Sequence, residues 1–213
     1  MMDFAISGPT AEQIADKHKT YGVDKRYLKA VQAVSQGLQN QNVSAVVEAV
    51  SAFLKNWNRT YYRFHPKKRP LLDSELEELV TCNLPAIMGL HERSIASLVP
   101  SDHATVVRIF SAFESKLGPV GSAKALNLLA PSFLPLWDNP IAYAYGLTPG
   151  RVGYLLFMLI CKYQVEECNG SFPDGVLPLK AIDEYNFCEY TTPFLNFQRA
   201  GKLGGSAAAK LPA

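Results

Sequence analysis

The sequence predicts an all-α fold, and three observations support this prediction. Apolar residues recur three and four positions apart over much of the first 130 residues, which is the spacing of helices with one buried face. Strict two-residue alternation, the pattern of a half-buried strand, never persists. The chain has 213 residues, of which 48% are hydrophobic and 19% charged, a composition that supports a packed core and excludes a disordered polymer.

Two helices are predicted first. Asp24 can cap one whose apolar residues keep helical spacing as far as Leu38, and the polar residues 39–42 end it. The next begins at Val43, and its apolar stripe continues to Trp57 over about four turns.

Three further helices are predicted beyond the proline-rich residues 66–72, which we expect to form a loop. Ser74 with Glu77 forms a capping box that restarts a helix. Another begins after Pro100, ends at the Gly118-Pro119 breaker and restarts over 122–129. Residues 150–166 are apolar around most of the circumference, which predicts a helix buried on all sides.

The organisation of the chain is predicted to be simple. Residues 1–200 are expected to form a single compact helical unit, with two lobes that meet near residues 66–100 as the alternative. The small-residue segment 201–213 is expected to be a flexible tail. An aromatic-rich segment near residues 185–197 is expected to close the core, and we assign it no function.

Charge, hydropathy and cysteine usage exclude several classes of protein. Lys and Arg number 21 against 19 Asp and Glu, so the net charge of +2 neither demands nor excludes a polyanionic partner. The longest apolar run is too short for a transmembrane helix and no secretory signal is recognised, so we expect a cytoplasmic or nuclear protein that is not secreted. The four cysteines and four histidines lack metal-ligand spacing, so no metal site, metal cluster or cofactor is expected.

A glycine-containing turn is the first candidate site. Residues 117–126 read L-G-P-V-G-S-A-K-A-L, which ends one helix and begins another. Free N–H groups of Gly121, Ser122 and Ala123 would face an anion such as a phosphate, and Gly118 would permit its close approach. A plain turn between helices is the alternative, because such glycines make one equally well.

A lone acid in an apolar and aromatic setting is the second candidate site. Asp138 lies within residues 133–147, which read F-L-P-L-W-D-N-P-I-A-Y-A-Y-G-L. Pro140 in the first turn of a short helix makes Asp138 an N-cap in the alternative interpretation, a role worth about 1 kcal/mol that needs no chemistry.

Together the two segments resemble the helix-hairpin-helix DNA glycosylase superfamily, in which an L-P-G-V-G-like hairpin precedes a segment that bears an essential aspartate. The counterparts here are L-G-P-V-G and L-W-D-N-P-I-A-Y-A-Y-G-L. The resemblance implies a two-lobed all-α fold with a helix-hairpin-helix motif and a cleft between the lobes. It also implies that Gly118, Val120 and Gly121 hold a DNA phosphate. Asp138 would stabilise positive charge on the sugar as the base departs, or orient a water.

The chain departs from the family pattern at its lysine. The lysine nucleophile of bifunctional members stands where this chain has Ala123, and Lys124 is one residue later, rotated by about 100° around the helix. A Schiff-base lyase is therefore not expected. Lys124 is kept as a catalytic candidate, with a surface contact to phosphate or a structural ion pair as the alternatives. Trp137 is the candidate for stacking on a base.

A basic stretch supplies local charge for a polyanion. Residues 55–69 contain six Lys or Arg and no acid. If the preceding helix continues, Lys55, Arg59 and Arg63 share one face and can contact phosphates. A solvated basic face above core aromatics is the alternative.

The sequence therefore favours a DNA glycosylase-like protein that hydrolyses an N-glycosidic bond, with Asp138 as the catalytic carboxylate. Its partner would be duplex or single-stranded DNA, or a nucleotide-like small molecule. The alternative is a non-catalytic nucleic-acid-binding or protein-interaction module on the same scaffold. The surroundings of Asp138 discriminate between them, because an open pocket with an aromatic wall favours an enzyme and a carboxylate bonded only to its own helix favours a cap.

Overall fold

The structure is a computed structural model that describes residues 8–57 and 73–203. Within these ranges the regular secondary structure is helical, without strands, which confirms the all-α prediction. None of the helices in these ranges has both the length and the apolar character needed to cross a membrane. The helices are α1 (Ala11–Tyr21), α2 (Lys25–Gln39), α3 (Val43–Trp57), α4 (Asp73–His91), α5 (His103–Leu129), α6 (Asn139–Ala144), α7 (Arg151–Glu167), α8 (Pro178–Asn186) and α9 (Thr192–Leu203). Two 3-10 turns, Ile95–Ser97 and Pro100–Asp102, precede α5, and a π-helical segment, Phe187–Thr191, joins α8 to α9.

Helices α2 and α3 form where the sequence predicts them. The Asp24 carboxylate caps α2 by accepting the backbone N–H groups of Arg26 and Tyr27 at 3.1 and 3.0 Å. The two helices pack tightly because α2 carries a glycine at the contact: a Cβ added at Gly37 would lie 2.7 Å from Cγ2 of Val46.

The start of α4 differs from the prediction, and α9 extends into the first residues of the predicted tail. Helix α4 already includes Asp73, so Ser74 lies inside it and does not cap it; Asp73 instead accepts a hydrogen bond from Ser51 Oγ at 2.6 Å. Helix α9 continues to Leu203, so the predicted flexible tail would begin within a helix. The predicted loop at 66–72 and residues 204–213 lie outside the described residues.

Helix α5 is interrupted at a single residue. Gly118 has φ 69° and ψ 171°, a left-handed and extended conformation that glycine adopts without a side-chain clash. The helix resumes at Pro119, which suits a first turn because it needs no partner for an N–H group. The Ser122 hydroxyl then donates to the Gly118 carbonyl oxygen at 2.7 Å. The predicted restart at residue 122 is therefore three residues late.

The core surrounds α5 and α7. Trp137, only 2% exposed, packs its ring against those of Phe110, Tyr154 and Phe157, with centroid separations of 6.5, 5.4 and 5.6 Å. Buried apolar residues from α1 to α8 form one continuous cluster with this aromatic group. The division into two lobes stays a prediction.

Helix α7 is not buried on all sides, as the sequence had predicted. Tyr154, Phe157 and Cys161 on one face are completely buried. The opposite face exposes Val152, Leu156, Leu159 and Tyr163, at 63%, 46%, 38% and 49%. The apolar circumference therefore covers a core face and a solvent-exposed face.

Candidate functional site

A pocket of about 320 Å³ brings Asp138 and Lys124 together. It lies where the ends of α1 and α3, the second half of α5, the segment before α6, and α8 meet. Its charged lining residues are Lys124, Asp24, Asp138 and Asp183, and Tyr21, Trp57 and Phe187, which are half-buried, form an aromatic wall. Phe187 belongs to the aromatic segment to which the sequence analysis assigned no function.

Asp138 is both an N-cap and a pocket residue. Its Oδ1 accepts the Ile141 backbone N–H at 3.0 Å, which confirms the predicted cap of α6. Its Oδ2 accepts the hydroxyl of Thr191, in the π-helical segment, at 2.9 Å. Burial raises the pKa of Asp138, while these two hydrogen bonds and the nearby Lys124 act in the opposite direction. A carboxylate held from two elements beside an aromatic pocket is more than a local cap.

Lys124 points its amine into the pocket rather than to the surface. Its Nζ donates to the Trp57 carbonyl oxygen at 2.7 Å and lies 5.9 Å from the Trp57 ring centroid. Burial lowers the pKa of Lys124, and the charges of Asp138 and Asp183 offset part of this effect. Neither the surface contact nor the structural ion pair expected from the sequence describes this amine.

A buried ionic cluster on α8 adjoins the pocket and was missed by the sequence analysis. Lys180 Nζ contacts Asp183 Oδ2 at 2.8 Å and Glu184 Oε1 at 3.7 Å, and the Lys180 and Glu184 side chains are each 4% exposed. Glu184 Oε2 lies 2.6 Å from His18 Nδ1 of α1. Burial raises the pKa of Glu184, although His18 and Lys180 oppose the rise. The K-x-x-D-E spacing was the available signal, but it also occurs on ordinary exposed helix faces.

The Lys180 ammonium is also surrounded by aromatic rings. It lies 4.4, 5.1 and 5.6 Å from the ring centroids of Tyr21, Tyr27 and Trp57. Burial by itself would lower the pKa of Lys180, but the charge and hydrogen bond of Asp183, with Glu184, raise it overall. Lys180 therefore stays charged and helps to hold the aromatic wall of the pocket.

The residues predicted to hold a phosphate are buried or half-buried and lie away from the pocket. Gly121, Ser122 and Ala123 are buried, while Gly118 and Val120 are half-buried, and none of these five lines the pocket. The expected exposed N–H groups are therefore wrong for residues 121–123, because the restarted helix packs into the core. The turn corresponds to the alternative, a break between two helical segments.

Of the other predicted contact residues that the structure describes, Trp137 borders the pocket and Lys55 does not line it. Lys55 is exposed on α3 and lies 3.8 Å from Asp73, whereas Arg59 and Arg63 lie outside the described residues. Trp137 borders the pocket but is almost fully buried, so Trp57, which is half-buried, offers the more accessible ring.

The metal-binding capacity of the chain and its similarity to known proteins both bear on the identity of the site. Among the residues that the structure describes, no group of three or more His, Cys, Asp and Glu side chains could hold a metal ion. Comparison of the chain with family models, with curated proteins and with solved structures finds no match.

Proposed function

We propose that the pocket binds a nucleoside unit and hydrolyses its N-glycosidic bond, with Asp138 as the catalytic carboxylate. The observation that carries this proposal is that one aromatic pocket holds both Asp138 and the Lys124 amine, each largely removed from water. Burial shifts the pKa of each group towards its neutral form, and such perturbed pairs in clefts are typical of catalytic sites.

The size and the wall of the pocket suit a single planar base. A volume of about 320 Å³ is at the lower end of the range for ligand pockets, roughly 300–1,000 Å³. Tyr21, Trp57 and Phe187 offer rings on which a base could stack. A base in duplex DNA would have to leave its stack to enter such a pocket. DNA is the proposed substrate because of the basic stretch 55–69, and a free nucleotide-like molecule is the alternative.

Asp138 is suited to stabilise a sugar cation. As the C–N bond breaks, the base takes the bonding electrons and the sugar carbon becomes positive. The Ile141 N–H and the Thr191 hydroxyl fix the carboxylate, so its charge needs little reorganisation when the cation forms.

Lys124 and Asp183 are suited to move the protons of the reaction. The water that adds to the sugar carbon releases one proton, and the departing base takes one up. Asp183 Oδ2 is held by Lys180, while Oδ1 has no hydrogen-bond partner among the described residues. In the proposed reaction Asp183 Oδ1 accepts the proton of the water and the Lys124 ammonium protonates the base.

Replacement of Asp138 by Asn tests the proposal. The amide oxygen can still accept the Ile141 N–H, and the amide N–H can donate to the Thr191 hydroxyl, which then accepts instead of donating. Because the amide carries no charge, turnover should be abolished while binding is retained. Base release would be measured on single- and double-stranded oligonucleotides that carry damaged or mismatched bases, and on free nucleosides. Asp16→Asn, an exposed acid on α1, is the matched control. Unchanged turnover in Asp138→Asn would remove Asp138 from the mechanism.

DNA binding is measured separately from turnover. The triple variant with Lys55, Arg59 and Arg63 changed to Ala should bind oligonucleotides more weakly and with a smaller dependence on salt. Salt-sensitive binding without base release from any substrate would favour the non-catalytic module instead.

The buried amine favours a second candidate, a lyase reaction. In this reaction Lys124 Nζ attacks the sugar carbon, the base leaves with the bonding electrons, and loss of a proton with opening of the sugar ring gives a Schiff base. Borohydride should then trap a covalent protein–DNA adduct in the wild type and none in Lys124→Gln. Base release without a trapped adduct would support hydrolysis.

A further inference from the structure

The exposed apolar face of α7 is a narrow stripe. At 100° per residue, Val152, Leu156, Leu159 and Tyr163 fall within an arc of about 60°, directly opposite the side chains that α7 buries in the core. Single exposed apolar residues are common, but four in register along three turns form a continuous surface. Among the described residues nothing buries this stripe.

Opposite charges lie at the two ends of the stripe. Arg151 is at the N-terminal end and has no hydrogen-bond or ion-pair partner among the described residues. Glu166 is at the C-terminal end, about 60° from Arg151 around the helix axis and on the same side of the stripe. It contacts Lys162 at 3.7 Å, but 53% of its side chain is exposed. Lys162 itself is directed away, since it donates to the Leu98 carbonyl oxygen at 2.8 Å.

We propose that the stripe is a dimer interface, on which α7 of a second copy of this chain packs antiparallel. A two-fold axis that passes between Met158 and Leu159 places Arg151 level with Glu166 of the second copy, about 11 Å from the axis at each end. Such an axis keeps each side of the stripe on the same side in both copies, so Arg151 of each copy meets an exposed carboxylate of the other.

The same axis makes the apolar side chains interdigitate. With a rise of about 1.5 Å per residue, Tyr163 of one copy falls between Val152 and Leu156 of the other, with about 3 Å to each along the axis. The two Leu159 side chains lie side by side at the centre. Both the apolar residues and the charges therefore fit one antiparallel register, and this self-complementarity selects a second copy over an unrelated partner.

The oligomeric state of the full chain tests the proposal. Analytical ultracentrifugation over a wide range of protein concentrations should show an equilibrium between the 23.5 kDa chain and a species of twice that mass. Leu159→Glu should raise the dimer dissociation constant about a hundredfold or more, because it brings two carboxylates together at the two-fold axis. Leu159 is exposed, so the change should leave the monomer folded, and circular dichroism checks this. Leu28→Glu, on an exposed leucine of α2, is the matched control and should leave the dimer intact.

A charge exchange tests the antiparallel register. Arg151→Glu and Glu166→Arg should each weaken the dimer because like charges then face one another, and the double variant should restore it. A chain that stays monomeric at all concentrations would overturn the proposal, as would a dimer that Leu159→Glu leaves unchanged. Absence of recovery in the double variant would overturn the antiparallel arrangement.

Discussion

Replacement of Lys180 by Met should destabilise the protein strongly. The side chain is 4% exposed and its ammonium is the cation that faces both Asp183 and Glu184. Methionine fills a similar volume but removes the ammonium that pairs with both Asp183 and Glu184, which stay in the interior. Removal of one partner of a buried ion pair costs about 3–5 kcal/mol, because the remaining charge stays desolvated. For a chain of this size the melting temperature should fall by about 6–20 °C.

The loss of stability in Lys180→Met should depend on pH, because it arises from carboxylates that can be protonated. Lys180 lowers the pKa of Glu184, so its removal should raise that pKa further. A carboxyl group with a raised pKa binds its proton more tightly in the folded state than in the unfolded one. The difference in stability between wild type and Lys180→Met should therefore be largest at neutral pH and shrink as the pH falls through the raised pKa of Glu184.

Urea unfolding followed by tryptophan fluorescence measures the loss, since Trp57 and Trp137 both lie near the cluster. Lys162→Met is the control, because that lysine makes a partly exposed ion pair with Glu166 and one hydrogen bond to the Leu98 carbonyl oxygen. Together these should contribute no more than about 2 kcal/mol. A loss of stability in Lys180→Met no greater than that in Lys162→Met would contradict a stabilising role for the buried lysine. A loss that grew as the pH fell would contradict the role of Glu184.

Three further predictions concern single positions. Gly153→Ala should destabilise the protein by about 2 kcal/mol or more, because the added Cβ would overlap the Thr148 carbonyl oxygen. Gly89→Ala, in a helix with open space around this position, should stabilise the protein by up to about 1 kcal/mol. Thermal melts compare the two variants. Tyr27→Phe removes the 2.9 Å hydrogen bond to Asn127 and should cost about 1–3 kcal/mol in urea unfolding, because a buried amide oxygen loses its donor. Burial raises the pKa of Asp138 above the ordinary 3.8, so kcat/KM should fall on acidification at a pH above that value; a profile that stays flat down to pH 4 would contradict the assigned role.

Local chemistry accounts for the parts of the fold that the sequence could predict. The stripe of α3 and the caps at Asp24 and Asp138 depend on residues within a few positions of one another, and all three were found as predicted. The break in α5 was predicted at Gly118, but its extent was not. A glycine indicates that the backbone can turn, whereas the length of the turn depends on how the following helix packs.

Burial set by distant segments accounts for what could not be predicted. Lys180 and Glu184 have the spacing of a solvent-exposed ion pair, but residues of α1, α2 and α3, more than 120 residues earlier in the chain, pack against them. Likewise, the apolar circumference of α7 does not reveal which face the core covers. Lys124 was a catalytic candidate from the sequence, but the hydrogen bond of its amine to the Trp57 carbonyl oxygen depends on packing between segments far apart in the chain.

The two hydrogen bonds that Asp138 accepts bear on how this protein could change through evolution. Its carboxylate begins α6 and ties that helix to the π-helical segment, so selection for a folded chain alone would preserve it. If the protein has the proposed activity, a descendant that had lost it would still keep an aspartate here. The Lys124 amine is different, because a buried cation bonded to one carbonyl adds little to stability that a neutral side chain could not supply. Among relatives of this chain, retention of the lysine would therefore distinguish active proteins from inactive ones better than retention of the aspartate.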